Sequence, residues 1–185
     1  MKVFFGMVGG VILLAVFAAF LHYEYRRAFD PGPEAIEYGK RGTAQIFDGD
    51  TLDLEGVRIR LAGIDACELD QVAKLVTETW PCGTLAKARL VELTAGADIR
   101  CIWSELDLYD RALAICDIYG TDLVLNKIMV QEGLAVGYRG SGEGTVSNPS
   151  YEEIEALAKQ NRRGLWKTEF EVPSEHRRKR SPQRP

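Results

Sequence analysis

Acids and arginines fall into step along the middle of the chain. Asp48-Gly49-Asp50-Thr51 comes first, Arg60 follows, then Asp65-Ala66-Cys67-Glu68 and Asp107-Leu108-Tyr109-Asp110-Arg111. Three carboxylates (Asp50, Asp65 and Glu68) beside two guanidinium groups (Arg60 and Arg111) are what phosphodiester hydrolysis needs. A hard cation takes oxygen ligands such as Asp50 and Asp65, a further carboxylate such as Glu68 takes a proton from water, and arginines grip phosphate bidentately.

The elements that position these groups are legible in outline. Residues 57 to 64 alternate as one strand, Arg58 and Arg60 on one face and Val57, Ile59 and Leu61 on the other, leading into a loop that carries Asp65 and Glu68. Further strands are expected at 43–47, 51–54, 98–103 and 112–118, with Asp48-Gly49 turning the first pair. Residues 69–82 read as a long loop. Helices are expected over 85–93, over 123–132 closed by Gly133, and over 151–163, where Ser150 and Glu153 form a capping box. Arg139 to Pro149 reads as a mobile loop. Five strands in a meander with about three helices fit an α+β chain built on a five-stranded OB-type barrel.

These residues resemble the staphylococcal nuclease (thermonuclease) family over roughly residues 42 to 167. The match is carried by Asp48-Gly49-Asp50-Thr51, the Arg60, Asp65 and Glu68 spacing, the Asp107 to Arg111 stretch, and Gly133-Leu134-Ala135 with Gly164-Leu165-Trp166. The resemblance implies the same OB-type fold and cleavage of DNA and RNA by water, leaving 3′-phosphate ends. It implies calcium held by Asp50, Asp65 and the Ala66 backbone carbonyl, Glu68 acting on the attacking water, Arg60 and Arg111 clamping the scissile phosphate, and Tyr109 contacting a neighbouring phosphate. Tyr138 is a candidate for stacking on a base, with a packing or surface role as its alternative. The chain departs from the family at Ala66 (often Thr), Cys67 (usually Pro), Leu108 (commonly Lys) and Asp110 (commonly Gly). Losing proline at Cys67 frees the backbone beside the expected base, and Asp110 adds a carboxylate that can pair with Arg111. The alternative function is a catalytically weak or inactive OB-type module that binds nucleic acid or protein.

The four cysteines are Cys67, Cys82, Cys101 and Cys116. An even count without a Cys-x-x-Cys pair suits disulfides better than zinc. Cys101 and Cys116 sit on two strand-like runs that can pair as a hairpin, which leaves Cys67 with Cys82. The family places a cysteine near Gln71 to face the one in Trp80-Pro81-Cys82-Gly83, a task that Cys67 would take over. Four free thiols are the alternative reading.

The chain ends complete the expected organisation. Residues 1–27 read as a membrane anchor or signal peptide, 28–41 as a linker, 42–170 as the nuclease-like domain and 171–185 as a basic, disordered tail. Residues 3–21 are uncharged and apolar, and as a helix would span roughly 28 Å, near the thickness of a bilayer core. An anchor is favoured over a signal cleaved near Val16-Phe17-Ala18. With disulfides calling for an oxidising compartment, the domain is expected membrane-anchored on the extracytoplasmic side of a bacterial-type envelope, or secreted if residues 1–18 are removed. Residues 28–175 carry 15 Lys and Arg against 26 Asp and Glu, while the last ten residues hold five Lys or Arg. Long-range attraction to a polyanion is therefore poor over the body, which suits transient capture of DNA or RNA by a monomer.

Overall fold

The computed structural model describes residues 37–138 and 149–180. Ten strands run in chain order as β1 (Tyr38–Gly42), β2 (Ala44–Ile46), β3 (Thr51–Leu54), β4 (Val57–Leu61), β5 (Ile64–Ala66), β6 (Ala73–Leu75), β7 (Glu78–Trp80), β8 (Ile99–Leu106), β9 (Ala112–Ile118) and β10 (Ala135–Gly137). The helices are α1 (Cys82–Thr94), α2 (Leu125–Gln131), α3 (Pro149–Gln160) and α4 (Pro173–Arg180), with a 3-10 turn at Gly164–Lys167. Six strands form one sheet in the order β1-β8-β9-β4-β3-β2, and β10 pairs with β5 alone. The curled sheet with its flanking helices fits an OB-type α+β fold.

The alternation in β4 sets the layering. Ile59 and Leu61 are buried, Arg58 is exposed and Arg60 is half-buried, because successive side chains of a strand point to opposite faces. The inward set packs with Leu52 and Leu54 of β3, Leu90 of α1, and Leu125 and Met129 of α2.

Several expectations change. The run 57–64 is not one strand. It breaks after Leu61 at Gly63, whose φ of +74° is open to glycine at no steric cost, and resumes as β5. The sheet is not a pure meander, because β4 and β9 pair in parallel. The expected linker ends inside β1, which pairs with β8. The expected loop 69–82 contains the hairpin β6–β7, whose turn holds Val76 at φ +56°. The expected disordered tail is a helix over Pro173–Arg180, held by long-range ion pairs that a local reading of the sequence does not reveal.

The expected localisation, membrane-anchored on the extracytoplasmic side of an envelope, is corrected. Among the described residues no helix is long and apolar enough to cross a membrane. The run 3–21 on which that reading rested lies outside the described residues, as do 139–148, most of the stretch read as a mobile loop.

Two disulfides are present. Cys101 and Cys116 face each other in the β8–β9 register, with Cα atoms 4.1 Å apart. Cys67–Cys82, with Cα atoms 5.8 Å apart, ties the end of β5 to the start of α1. It sits in a second apolar cluster with Ala73, Val136 and Leu165. The Cys67 and Cys82 sulfurs close a segment with a sequence separation of 15, and cross-linking a loop of that size stabilises by about 3 kcal/mol on the chain-entropy account. A C67S/C82S double substitution is expected to lower unfolding stability by roughly that amount in a denaturant titration. An unchanged midpoint would show that the bridge adds nothing to the fold.

Candidate active site

The break at Gly63 creates the site. Residues 60 and 65 are an odd number apart, so an uninterrupted strand would aim them at opposite faces. With the chain turned, an Arg60 Nη2 donates to Asp65 Oδ1 at 3.1 Å while Nη1 donates to Asp50 Oδ1 at 2.8 Å. One guanidinium thus forks across two aspartates from different elements. Asp50, at the tip between β2 and β3, also accepts from the Thr51 hydroxyl at 3.0 Å and, on Oδ2, from the Ala66 N–H at 3.0 Å.

Asp50 and Asp65 are almost fully buried, at 4% and 1% exposure. Burial, partly countered by Arg177 and added to by Asp50, raises the Asp65 pKa above its ordinary value. Burial likewise raises that of Asp48, with Asp50 adding to it. For Arg60, burial disfavours the charge, but Asp50 and Asp65 outweigh it and lift the pKa further. The second oxygen of Asp65, Oδ2, is buried with no hydrogen-bond partner. A buried carboxylate oxygen left unmatched is costly, and its lone pairs are of the kind a hard cation accepts.

Glu68 lies on the loop after β5, its side chain about one-third exposed. The loop is held from two sides. Glu68 N–H donates to Gln71 Oε1 at 3.2 Å, and Cys67 is bridged to α1. The disulfide thus ties the backbone beside Glu68 to the start of α1. Gly83 is part of the same packing, since a Cβ there would stand 1.7 Å from the Glu68 carbonyl oxygen. Gly83→Ala must therefore move the Glu68 backbone, and is expected to destabilise the protein by about 1–3 kcal/mol and to lower any hydrolytic rate by roughly tenfold or more, since misplacing a catalytic group by about 1 Å has that order of cost. Wild-type stability and rate would contradict this packing.

Arg111 follows a turn built by Asp107. Asp107 Oδ1 accepts from the Tyr109 and Arg111 N–H groups at 2.8 and 3.0 Å, and Oδ2 accepts from Arg111 Nε at 2.7 Å. Despite some burial, these bonds hold the Asp107 carboxyl below its usual range. Of the two acids that could pair with Arg111, Asp107 and Asp110, it is Asp107 that does. Asp110 instead sits at φ +60°, a left-handed conformation that favours glycine and tolerates aspartate. Tyr109 is largely exposed, with the Arg111 guanidinium 5.5 Å from its ring. Tyr138, at the end of β10, lies with its ring 6.0 Å from the Arg60 guanidinium.

Asp50, Arg60, Glu68, Tyr109, Arg111 and Tyr138 all line one open cleft of about 790 Å³. Asp65 does not line it but is bonded to Arg60 and lines a second, smaller pocket with Val136, Tyr138 and Trp166. Among the described residues, no group of three or more His, Cys, Asp or Glu is arranged around one point as a metal cage. The oxygen donors available are two carboxylates and a carbonyl. Hard cations accept such mixed sets, completed by water or substrate oxygens, and the unpartnered Asp65 Oδ2 fits that use.

One cleft residue escaped the sequence reading. Arg177 of α4 donates from Nη2 to Asp65 Oδ1 at 2.7 Å and from Nη1 to Glu68 Oε1 at 2.8 Å. Burial disfavours its charge, but Asp65 and Glu68 more than offset that and raise its pKa above the ordinary value. The available signal was the run Arg177-Arg178-Lys179-Arg180 following a strongly acidic body.

Much of the chain is similar in sequence to known proteins. A family model described as "Staphylococcal nuclease homologue" matches residues 58–168. The chain is 36% identical over 135 residues to a protein named micrococcal nuclease from Shigella flexneri, covering 66% of this chain and 70% of that one. It is 29% identical over 133 residues to the succinoglycan biosynthesis protein ExoI of Rhizobium meliloti, covering 70% and 66%. It is 32% identical over 120 residues to a probable endonuclease, LCL3, of Arthroderma otae, covering 60% of this chain and 41% of that protein.

Proposed function

This chain belongs to the staphylococcal nuclease family, and on that premise we propose that it is a calcium-dependent endonuclease that hydrolyses phosphodiester bonds of DNA or RNA to 3′-phosphate products. The observation that carries the reading is that Asp50, Arg60, Glu68 and Arg111 line one cleft from four separate stretches of chain, with Asp65 bonded to Arg60 beside it.

Asp50, Asp65 and the Ala66 carbonyl would hold the calcium, and the bound ion would offset charge on the phosphate oxygens. The chain's own groups do the rest. Arg60 and Arg111 bind the scissile phosphate from two sides and stabilise the charge that builds on its oxygens as water adds to phosphorus. Glu68 takes the proton that the attacking water gives up. The new P–O bond comes from that water, and the bond to the 5′ oxygen breaks as that oxygen takes a proton from solvent water, leaving a 5′-hydroxyl and a 3′-phosphate. Tyr109 contacts a neighbouring phosphate, and Tyr138 offers a stacking face to a base. The acidic body favours brief encounters over stable binding.

The test is analysis of the ends made from a 5′-labelled oligonucleotide. Products with 3′-phosphate termini are expected. Products with 3′-hydroxyl and 5′-phosphate termini would contradict this direction of attack.

A further inference from the structure

The C-terminal helix lies outside residues 58–168 that match the family model, yet it reaches the centre of the site. Its Arg177 bridges Asp65, an expected calcium ligand, and Glu68, the expected base, at 2.7 and 2.8 Å. A single guanidinium thus neutralises one expected ligand of the cation together with the expected base.

The attachment of α4 is almost wholly electrostatic. Arg180 pairs with Asp70, and Lys179 with Glu171. His176 Nδ1 stands 3.3 Å from Glu171 Oε2, and its Nε2 4.0 Å from Asp70. Within the helix only Pro173 is buried. Gln71 couples the helix to the loop of the base. Its Nε2 donates to the Glu171 carbonyl at 2.7 Å while its Oε1 accepts from the Glu68 N–H at 3.2 Å. The exposed pairs of Arg180 and Lys179 contribute little each and are screened by salt, so the hold of the helix on the site rests chiefly on Arg177, whose partner Asp65 is buried, and a cation that takes Asp65 removes that hold.

We propose that α4 is a latch whose Arg177 holds Asp65 and Glu68 in the absence of a divalent cation and is displaced when calcium binds, so that the C-terminal helix sets the calcium concentration at which the site becomes competent. This rests on the calcium reading above. A latch docked for about 90 to 99% of the time raises the apparent Kd for calcium roughly 10- to 100-fold, because only the undocked fraction binds. Displacement also turns the Arg177 guanidinium loose at the mouth of the cleft, where an incoming phosphate is its natural partner.

The test is calorimetric titration of calcium into the full chain, comparing wild type, Arg177→Ala and Arg178→Ala. Arg178 carries the same charge on the same helix but bonds neither carboxylate. Hydrogen exchange of residues 173–180 is measured alongside, with and without saturating calcium. The latch predicts at least about tenfold tighter calcium binding by Arg177→Ala, less than about twofold change in Arg178→Ala, and faster exchange of 173–180 in the wild type when calcium is added. Equal or weaker binding by Arg177→Ala would overturn the latch and leave the calcium reading standing. Tighter binding without faster exchange would overturn displacement, since Arg177 would then share the site with the ion. If neither wild type nor Arg177→Ala binds calcium, the calcium reading falls and the latch with it.

Discussion

Glu68→Gln is expected to lower turnover by about 10²- to 10⁴-fold, the range over which a positioned general base acts. The change keeps the shape of the side chain and one oxygen acceptor, but an amide cannot take a proton from water near neutral pH. The position tolerates the change because the side chain is about one-third exposed and its backbone is fixed independently by Gln71 and the Cys67 bridge. The loss should fall on kcat, with calcium binding no weaker, since the amide also loosens the Arg177 contact that opposes the ion, and thermal unfolding little altered. Single-turnover cleavage with saturating enzyme is the direct readout. A loss smaller than tenfold would remove Glu68 from the role of base and turn attention to Asp48, which also lines the cleft and whose pKa burial raises.

Arg111→Lys is expected to cost about 10²- to 10³-fold in kcat/KM, the scale of removing one preorganised donor to a developing negative charge. Charge is preserved, so the experiment isolates geometry. Asp107 already occupies the Nε and Nη2 edge of the guanidinium, with Nε at 2.7 Å and Nη2 at 2.6 Å from Oδ2. The planar fork can satisfy that carboxylate and still present Nη1 to a phosphate. A lysine ammonium is a point donor on a flexible stem and cannot do both in fixed directions. If Arg111 only stabilises its own turn, Lys would weaken thermal stability and leave the rate of folded protein near wild type, and that pattern would contradict the clamp.

Where the sequence was readable, the physics is local. Asp48-Gly49 turns a hairpin, Val57, Ile59 and Leu61 alternate with Arg58 and Arg60, and Cys101 faces Cys116 because two antiparallel strands bring them into register. These features depend on near neighbours or on simple pairing. The convergence of Arg60 with Asp65 was anticipated as a strand leading into a loop. The actual device, a reversal of face at Gly63, is visible only as a single glycine in an otherwise convincing strand.

Where the reading ran short, the cause is distance or missing turn chemistry. The β6–β7 hairpin carries Val76 at its turn, a β-branched residue that no turn rule selects, and the hairpin gains support from pairing between Lys74 and Glu169. Helix α4 has no apolar stripe and looks like a solvated charged end. Its partners Asp65, Glu68 and Asp70 lie more than a hundred residues earlier. Charge complementarity over such separations leaves no periodic trace, so the residue that most alters the view of the site, Arg177, was the one hardest to find. The sequence offers Arg111 two acidic partners, Asp107 and Asp110, and the backbone turn assigns the pairing to Asp107.

The most direct measurement is cleavage of single-stranded DNA by the full, oxidised chain in calcium and in excess chelator. Cleavage that requires calcium and returns when the ion is restored is the expected result. Cleavage at the same rate in chelator, or none in calcium by protein shown to be folded, would contradict a calcium-dependent nuclease and favour a module that binds without cutting.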